Sequence, residues 1–189
     1  MGRFLIRRYC LIGIKGIGKT TLIKTILKEI PNIDYLIGSQ ILRQLVGEGF
    51  DNFDYFPEEV KKNYREKAIE YMIQRQNETQ KKILVDGHTS LYNPISKEPE
   101  NVFTELDCTF FTDLILLEVS DLTVLERRKS DSKKKRITDL SIITKELSFE
   151  RKNSENIAKK YGMKMHYLNE KFYDTLDLEL IKILKGKKL

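Results

Sequence analysis

The stretch Gly13-Ile14-Lys15-Gly16-Ile17-Gly18-Lys19-Thr20 decides the fold of this chain. It has the spacing of a phosphate-binding loop, a glycine followed after four residues by Gly-Lys and then Ser or Thr. In such a loop, backbone N–H groups at a helix N-terminus hold phosphate oxygens, and glycines let the backbone come close to them. The motif predicts that Lys19 reaches the β- and γ-phosphates and that the Thr20 hydroxyl binds Mg²⁺. The predicted nucleotide-binding residues are Gly13, Ile14, Lys15, Gly16, Ile17, Gly18, Lys19, Thr20 and Thr21.

The residues on either side of the loop fit the structure that this motif requires. Arg8-Tyr9-Cys10-Leu11-Ile12 is a short run of strand-forming residues, and Leu22 to Ile30 carries apolar residues at helical spacing. Pro31 predicts the end of that helix. Strand, glycine-rich loop and helix together predict a P-loop rather than a chance glycine-rich turn.

The composition is typical of a soluble globular protein. Of the 189 residues, 40% are hydrophobic and 33% are charged. We expect a single P-loop domain over residues 1–189, because this length suits one sizeable core. No apolar stretch is long enough to cross a bilayer, and the N-terminus lacks the apolar core of a signal peptide, so a cytoplasmic location is expected. The net charge of +6 fits both nucleic-acid binding and the handling of anionic substrates.

Apolar runs that alternate with helical patterns predict a doubly wound α/β fold of three layers, with ligands at the carboxyl ends of the strands. Four further strands are predicted at 33–37, 82–87, 113–119 and 163–168, which makes a five-stranded parallel sheet. Helices are predicted at 40–46, 57–79, 121–128, 139–161 and 172–184. Ser39 is the expected N-cap of the first of these and Asp121 of the third. Residues from Leu91 to about Phe111 are predicted to form a loop.

Several P-loop classes are disfavoured by what the sequence lacks. Regulatory GTPases read guanine with Asn-Lys-x-Asp, a tetrapeptide that does not occur here. AAA-type motors usually end their second acidic strand with Asp-Glu, whereas Asp86 is followed by Gly87-His88. A small insertion after the second strand and a short basic segment late in the chain are instead the layout of nucleoside monophosphate kinases.

On these residues the chain resembles the adenylate kinases, and most closely the compact archaeal type. Gly38-Ser39-Gln40-Ile41-Leu42-Arg43 is similar to the stretch that opens the monophosphate site of that family. Val85-Asp86-Gly87-His88-Thr89 resembles its Asp-x-His segment, and residues 125–131 resemble the start of its lid. Residues 52–57 lack the second arginine that the family commonly has in the monophosphate region. The ribosome-assembly branch of adenylate kinase-like proteins shares the Asp-x-His arrangement and is a near relative.

The resemblance implies transfer of the γ-phosphoryl group of Mg-ATP to a nucleoside monophosphate, with AMP favoured. It implies a monophosphate-binding region at about 38–66 and a lid at about 127–139. The residues implied by the motif and the resemblance are Lys19, Arg127, Arg136 and Arg151 in catalysis, Ser39, Arg43 and His88 in acceptor binding, and Thr20 and Asp86 at Mg²⁺. An oligomer is a family expectation without a residue signal in this chain.

Some residues fit a structural role as well. Arg127 and Arg128 adjoin, so at most one of them is expected to face the site, and register favours Arg127. His88 suits contact with a base or a metal-bound water, and suits equally a hydrogen-bonded structural histidine. Two other functions stay open: an ATPase or kinase of the ribosome-assembly type, and a nucleotide-dependent RNA- or protein-binding switch based on the basic segment 127–136. Nucleic-acid binding is not the favoured reading.

Overall fold

The computed structural model describes residues 6–132, 134, 136–169 and 175–186. Its strands are β1 (Arg8–Ile12), β2 (Ile33–Ile37), β3 (Lys82–Asp86), β4 (Ser90–Asn93), β5 (Glu98–Asn101), β6 (Asp113–Glu118) and β7 (Lys164–Asn169). Five of them form one sheet in the order β2-β3-β1-β6-β7, and every neighbouring pair is parallel. The predicted five-stranded parallel sheet is therefore confirmed, with each strand within one residue of its predicted bounds.

Helices connect the strands and cover both faces of the sheet. They are α1 (Lys19–Ile26), α2 (Gly38–Val46), α3 (Glu58–Thr79), α4 (Glu105–Phe110), α5 (Asp121–Ser130), α6 (Leu140–Tyr161) and α7 (Leu176–Lys185), with 3₁₀ turns at Leu27–Glu29 and Gly47–Tyr55. The start of the predicted last helix, 172–174, and the end of the chain, 187–189, lie outside the described residues, as do Lys133 and Lys135 of the predicted lid.

Two apolar cores lie on opposite faces of the sheet, because neighbouring residues of each central strand point in opposite directions. On one face, Leu11 and Leu84 pack with apolar residues of α1 and α7. On the other, Cys10 and Val85 pack with residues of α3 and α4. This three-layer arrangement leaves the carboxyl ends of β1 and β3 open for the loops that follow them.

The predicted loop between Leu91 and Phe111 contains regular structure. β4 and β5 form an antiparallel hairpin, and α4 follows it. In β5, Glu98-Pro99-Glu100-Asn101 has no apolar alternation, so its strand conformation has no signal in the sequence pattern. α4 is only six residues long, below the length at which helical periodicity becomes visible.

Two predicted helix caps are wrong. α2 begins directly after β2 with Ile37 as its N-cap residue, so Ser39 lies inside the first turn and caps nothing. At α5 the cap is Ser120, whose Oγ accepts a hydrogen bond from the Thr123 backbone N–H at 3.1 Å. Asp121 is the first helical residue instead, where its charge suits the helix dipole. In the described residues, none of the helices is long and apolar enough for a transmembrane span.

Candidate active site

The P-loop joins β1 to α1 and turns through glycines with a left-handed backbone. Gly16 has φ +88° and Gly18, the N-cap of α1, has φ +107°. A Cβ on Gly16 would lie 2.9 Å from Arg128 Cγ, and one on Gly18 would lie 3.0 Å from an Arg127 guanidinium nitrogen. Both the conformation and the close approach of the arginines therefore require glycine at these two positions.

Lys19 lies inside the loop, as the motif predicts. Its ammonium donates to the Gly13 carbonyl at 2.6 Å and lies 3.8 Å from Asp86 Oδ1. Burial lowers the pKa of Lys19, and the charges of Asp86 and Glu150 oppose that shift. A buried ammonium with carbonyl and carboxylate neighbours is a strong electrostatic partner for a phosphate that enters the loop.

Thr20, the second residue of α1, contacts Asp86, the last residue of β3. The Thr20 hydroxyl donates to Asp86 Oδ2 at 2.5 Å, and the β1–β3 register pairs Asp86 with Leu11, at the end of β1. Hard oxygen ligands of this kind suit Mg²⁺. Among the described residues there is no group of three or more His, Cys, Asp and Glu side chains that could hold a metal alone. An ion at this point would take its remaining ligands from phosphate and water, as Mg²⁺ commonly does.

Both arginines at the end of α5 contact backbone carbonyls of the P-loop. Arg127 donates to the Ile17 carbonyl. Arg128 donates from Nε to the Lys15 carbonyl at 2.9 Å and from Nη1 to Glu146 Oε2 at 2.8 Å. Arg128 and Glu146 are both buried, which makes this pair a structural support behind the loop. Arg127 lines the main cavity of the molecule.

Arg136 also lines that cavity, from the segment between α5 and α6. Its Nε donates to Asp131 Oδ2 at 2.9 Å, and its Cδ would lie 3.5 Å from a Cβ on Gly16. The predicted lid therefore brings one arginine from α5 and one from the following segment to the same side of the P-loop.

Arg151 does not reach the site. Its side chain is 54% exposed, and it pairs with Glu118 at 2.5 Å and with Glu155 at 3.1 Å. The buried residues of α6 are Ile143, Glu146, Glu150, Ser154, Ile157 and Ala158. Arg151 follows Glu150 and is turned by about 100° to the outer flank. Its predicted catalytic role has no support in this position.

Beyond the P-loop, the cavity continues to a set of residues that we call the distal end. Ser39 and Arg43 of α2 line it. Arg43 pairs with Asp51 at 3.1 Å, and its guanidinium lies 4.4 Å from the centre of the Phe50 ring. The distal end is also lined by Phe50, Phe53, Arg65, Ala68, Leu91, Phe103, Asp107 and Phe111.

Arg65 supplies the second arginine of the distal end, which the sequence analysis did not identify. It donates to Glu58 at 2.5 Å, and only 14% of its side chain is exposed. It shares a helical stripe with Ala68, Ile69 and Met72, at spacings of three, four and seven residues, and those three are buried. An arginine on the apolar stripe of α3 is the signal that could have pointed to it.

His88 lies next to Lys19, with Nδ1 3.5 Å from the lysine ammonium. Burial, and then the charges of Lys19 and Lys15, hold the pKa of His88 well below its usual range. The imidazole is therefore neutral at pH 7. It faces the cavity, so it is a neutral polar group next to the phosphate-binding lysine.

Glu150 fixes the segment that carries His88, and the sequence analysis missed it. It is 1% exposed and accepts hydrogen bonds from the Thr89 backbone and hydroxyl, each at 3.0 Å, and from the Ser90 hydroxyl. Asn153 of the same helix donates to the Thr89 carbonyl at 3.0 Å. α6 thus holds the backbone immediately after β3 in place.

One continuous cavity of about 1570 Å³ joins the P-loop to the distal end. Sites for one small ligand usually measure about 300–1,000 Å³. This cavity therefore has room for two ligands, one at the P-loop and one between α2, α3 and α4. Its P-loop end also reaches Leu176 and Asp177 at the start of α7.

Comparisons with known proteins agree with this fold. A family model described as an AAA domain matches residues 12–144. Shikimate kinase from Acinetobacter baumannii, in complex with shikimate, superposes with a TM-score of 0.61 at 13% identity, over 98% of this chain and 96% of that one. Shikimate kinase from Bacteroides thetaiotaomicron gives a TM-score of 0.58 at 15% identity, over 95% and 98%.

These identities establish the fold and no more, and a search of curated protein sequences found no match. Neither the family model nor these structures single out the adenylate kinases. The family match runs from the end of β1 into α6 and thus includes the P-loop, Asp86 and both P-loop-contacting arginines. The chain therefore belongs to the AAA domain family, and its fold is that of the P-loop kinases.

Proposed function

We propose that this protein is a kinase that transfers the γ-phosphoryl group of Mg-ATP to a nucleoside monophosphate, with AMP as the favoured acceptor. The observation that carries the proposal is the single cavity with the P-loop at one end and two arginines, Arg43 and Arg65, at the other. Two cationic sites in one cavity suit two anionic substrates that react with each other.

At the P-loop end, the triphosphate of ATP would lie along the loop, with Lys19 on its β- and γ-phosphates. Thr20 and Asp86, whose oxygens are already adjacent, would hold Mg²⁺. When bound, the ion neutralises phosphate charge. Arg127 and Arg136 border the same end of the cavity and add positive charge where negative charge develops in the transition state.

At the distal end, the two arginines are held by exposed carboxylates that a phosphate can displace. Arg43 pairs with Asp51, which is 79% exposed, and Arg65 pairs with Glu58, which is 60% exposed. A phosphate dianion makes stronger, bidentate contacts with guanidinium groups than an exposed carboxylate does. One oxygen of the acceptor phosphate would attack the γ-phosphorus in line, and the bond to the β-phosphate oxygen breaks to release ADP.

Aromatic side chains favour a nucleotide at the distal end over a small alicyclic acid. Phe50, Phe53, Phe103 and Phe111 line it, and flat rings of this kind stack well on a base. A hydroxyl-bearing acid such as shikimate is the second candidate. It is suggested by the fold neighbours, whose identity is too low to carry a substrate.

The proposal predicts a large acceptor-dependent rate of ADP formation. The assay supplies ATP and Mg²⁺ with AMP, CMP, GMP, UMP, dTMP or shikimate, against a control without acceptor. Lys19→Ala removes the phosphate-binding ammonium and should abolish the rate with every acceptor. Arg43→Ala and Arg65→Ala should each raise the KM for the acceptor about 10-fold or more, which corresponds to one lost charge-assisted hydrogen bond.

Arg151→Ala is the matched control, since Arg151 is an exposed arginine on the outer flank of α6. We expect its kinetic constants to equal those of the unaltered protein. An equal, slow rate of ADP formation with and without every acceptor would refute the kinase. It would direct attention to an ATPase of the ribosome-assembly type, or to a nucleotide-dependent switch whose RNA binding weakens steeply with salt.

A further inference from the structure

The distal end contains one buried carboxyl group that the proposed reaction does not use. Asp107 is the third residue of α4 and is 8% exposed. Its Oδ2 accepts hydrogen bonds from the Thr104 backbone N–H at 2.8 Å and from the Thr104 hydroxyl at 2.6 Å. One of its two oxygens thus completes the capping box of α4.

The other oxygen, Oδ1, has no such role. In the part of the chain that the structure describes, no other residue donates a hydrogen bond to it. Among the described residues, the fully buried side-chain polar atoms without a partner are Arg8 Nε and Tyr35 Oη. Asp107 Oδ1 is not among them, so it is not fully buried. Because Asp107 lines the main cavity, Oδ1 is accessible from the cavity.

The carboxylate is unfavourable for the fold at neutral pH. Burial raises the pKa of Asp107 from 3.8 to about 6, although the Thr104 hydrogen bonds and the charge of Arg65 oppose that shift. Because the folded pKa is the higher one, stability present below pH 3.8 is lost as the pH rises through about 6. The amide oxygen of an asparagine could accept the same two hydrogen bonds from Thr104 without this cost. A charge kept at a cost inside a cavity is typical of a functional group.

The surroundings of Asp107 strengthen any hydrogen bond that Oδ1 accepts. Leu91, Phe103 and Phe111 line the same part of the cavity, and Arg65 is near enough to affect the titration of Asp107. In such a poorly solvated place, an acceptor atom left without a donor is costly. A ligand that lacks the matching donor is then strongly disfavoured.

We infer that Asp107 determines which acceptor base is used, because its Oδ1 accepts a hydrogen bond from an amino group of the base. The inference rests on the proposed nucleoside monophosphate kinase activity. Arg43 and Arg65 would hold the phosphate of the acceptor, the phenylalanines would hold its ring, and Asp107 would select a ring with an exocyclic N–H donor. The substrate class is an aminopurine or aminopyrimidine nucleoside monophosphate.

AMP and IMP test this, because the 6-amino donor of AMP is a 6-keto acceptor in IMP, whose ring also carries a hydrogen at N1. The unaltered protein should have a kcat/KM for AMP that exceeds that for IMP by about 10-fold or more. In Asp107→Asn, the amide oxygen can still accept from Thr104, so its NH₂ group faces the cavity in place of Oδ1. The AMP-to-IMP ratio should then fall to about 1 or below.

Thr104→Val is the control for a purely structural effect. It removes the side-chain half of the capping box, while Oδ1 of Asp107 remains in place. It should lower the Tm but keep the AMP-to-IMP ratio. An unchanged ratio in Asp107→Asn, or no preference between AMP and IMP in the unaltered protein, would mean that Asp107 only caps α4. If no monophosphate stimulates ADP formation at all, the proposed function fails and the inference falls with it.

Discussion

At the scale of single residues, the site depends on buried charges that are held by specific partners. Arg128 and Glu146 form an ion pair whose side chains are 2% and 6% exposed, and Arg128 also holds the Lys15 carbonyl of the P-loop. Removal of one partner leaves the other charge buried and uncompensated, which typically costs about 3–5 kcal/mol.

Glu146→Gln should therefore lower the free energy of unfolding by roughly that amount, measured by urea denaturation at pH 7. The double variant Arg128→Met with Glu146→Leu should recover most of the loss, since well-packed apolar residues often replace such a pair at no cost. Additive losses in the double variant would contradict a direct interaction between the two residues.

Some residues of the candidate site could be predicted from the sequence, and others could not. Lys19, Thr20 and Asp86 follow from local motifs, and the structure brings them together. Arg65 and Glu150 have no local motif. Arg65 lies on α3 and lines the distal end, and Glu150 lies on α6 and contacts the segment after His88. Both positions depend on how these helices pack on the sheet, which periodicity alone does not determine.

At the scale of elements, α6 holds the segment between β3 and β4. Glu150 accepts three hydrogen bonds from Thr89 and Ser90. Asn153 adds one to Thr89 and one to Asn101 of β5. The hairpin and the His88 segment are thus fastened to the same helix.

Glu150→Gln should loosen this segment, because a neutral amide accepts at only one oxygen while three donors need partners. We expect a loss of about 1–3 kcal/mol and faster hydrogen exchange at the Thr89 amide. Glu155→Gln, which changes an exposed carboxylate on the same helix, is the matched control. Equal protection of Thr89 in both variants would show that Glu150 does not hold the segment.

The strands were predictable and the hairpin was not, for a physical reason. β1, β3 and β6 are buried on both faces, so each appears as an apolar run in the sequence. Within the described part of the chain, β4 and β5 pair only with each other. They carry polar residues and Pro99, so nothing in their pattern separates them from a loop.

At the scale of the whole molecule, a polar cluster around Asp113 links β6 to its neighbours at the amino-terminal ends of the strands, away from the P-loop. Asp113 of β6 accepts from Arg7 at 2.9 Å, from the Thr112 hydroxyl at 2.7 Å and lies 2.9 Å from His166 Nε2 of β7. This contact gives His166 a structural role, at a distance from the P-loop. Burial acts to raise the pKa of Asp113, but the hydrogen bonds from His166, Thr112 and Arg7 lower it overall.

Because the folded pKa is the lower one, Asp113 contributes stability above its unfolded pKa of about 3.9, and that stability is lost as the pH falls through the folded pKa. Asp113→Asn should therefore reduce the free energy of unfolding at pH 7 and have a much smaller effect near pH 2. Urea titrations at both pH values measure the difference. A loss of equal size at both would mean that packing, and not charge, is responsible.

The order of the strands has a consequence for how the molecule is made. β1 is the central strand, and the register pairs Cys10 with Val85 on one side and with Leu114 on the other. β3 and β6 are synthesised long after β1. The apolar strand β1 therefore has no strand to pair with while the intervening chain is made. Pairing over such separations is slow. The loop that leaves this strand therefore cannot be held in its final position until β3 and β6 have been synthesised. ATP can stabilise the folded chain only after that point, because a ligand stabilises only the state that binds it.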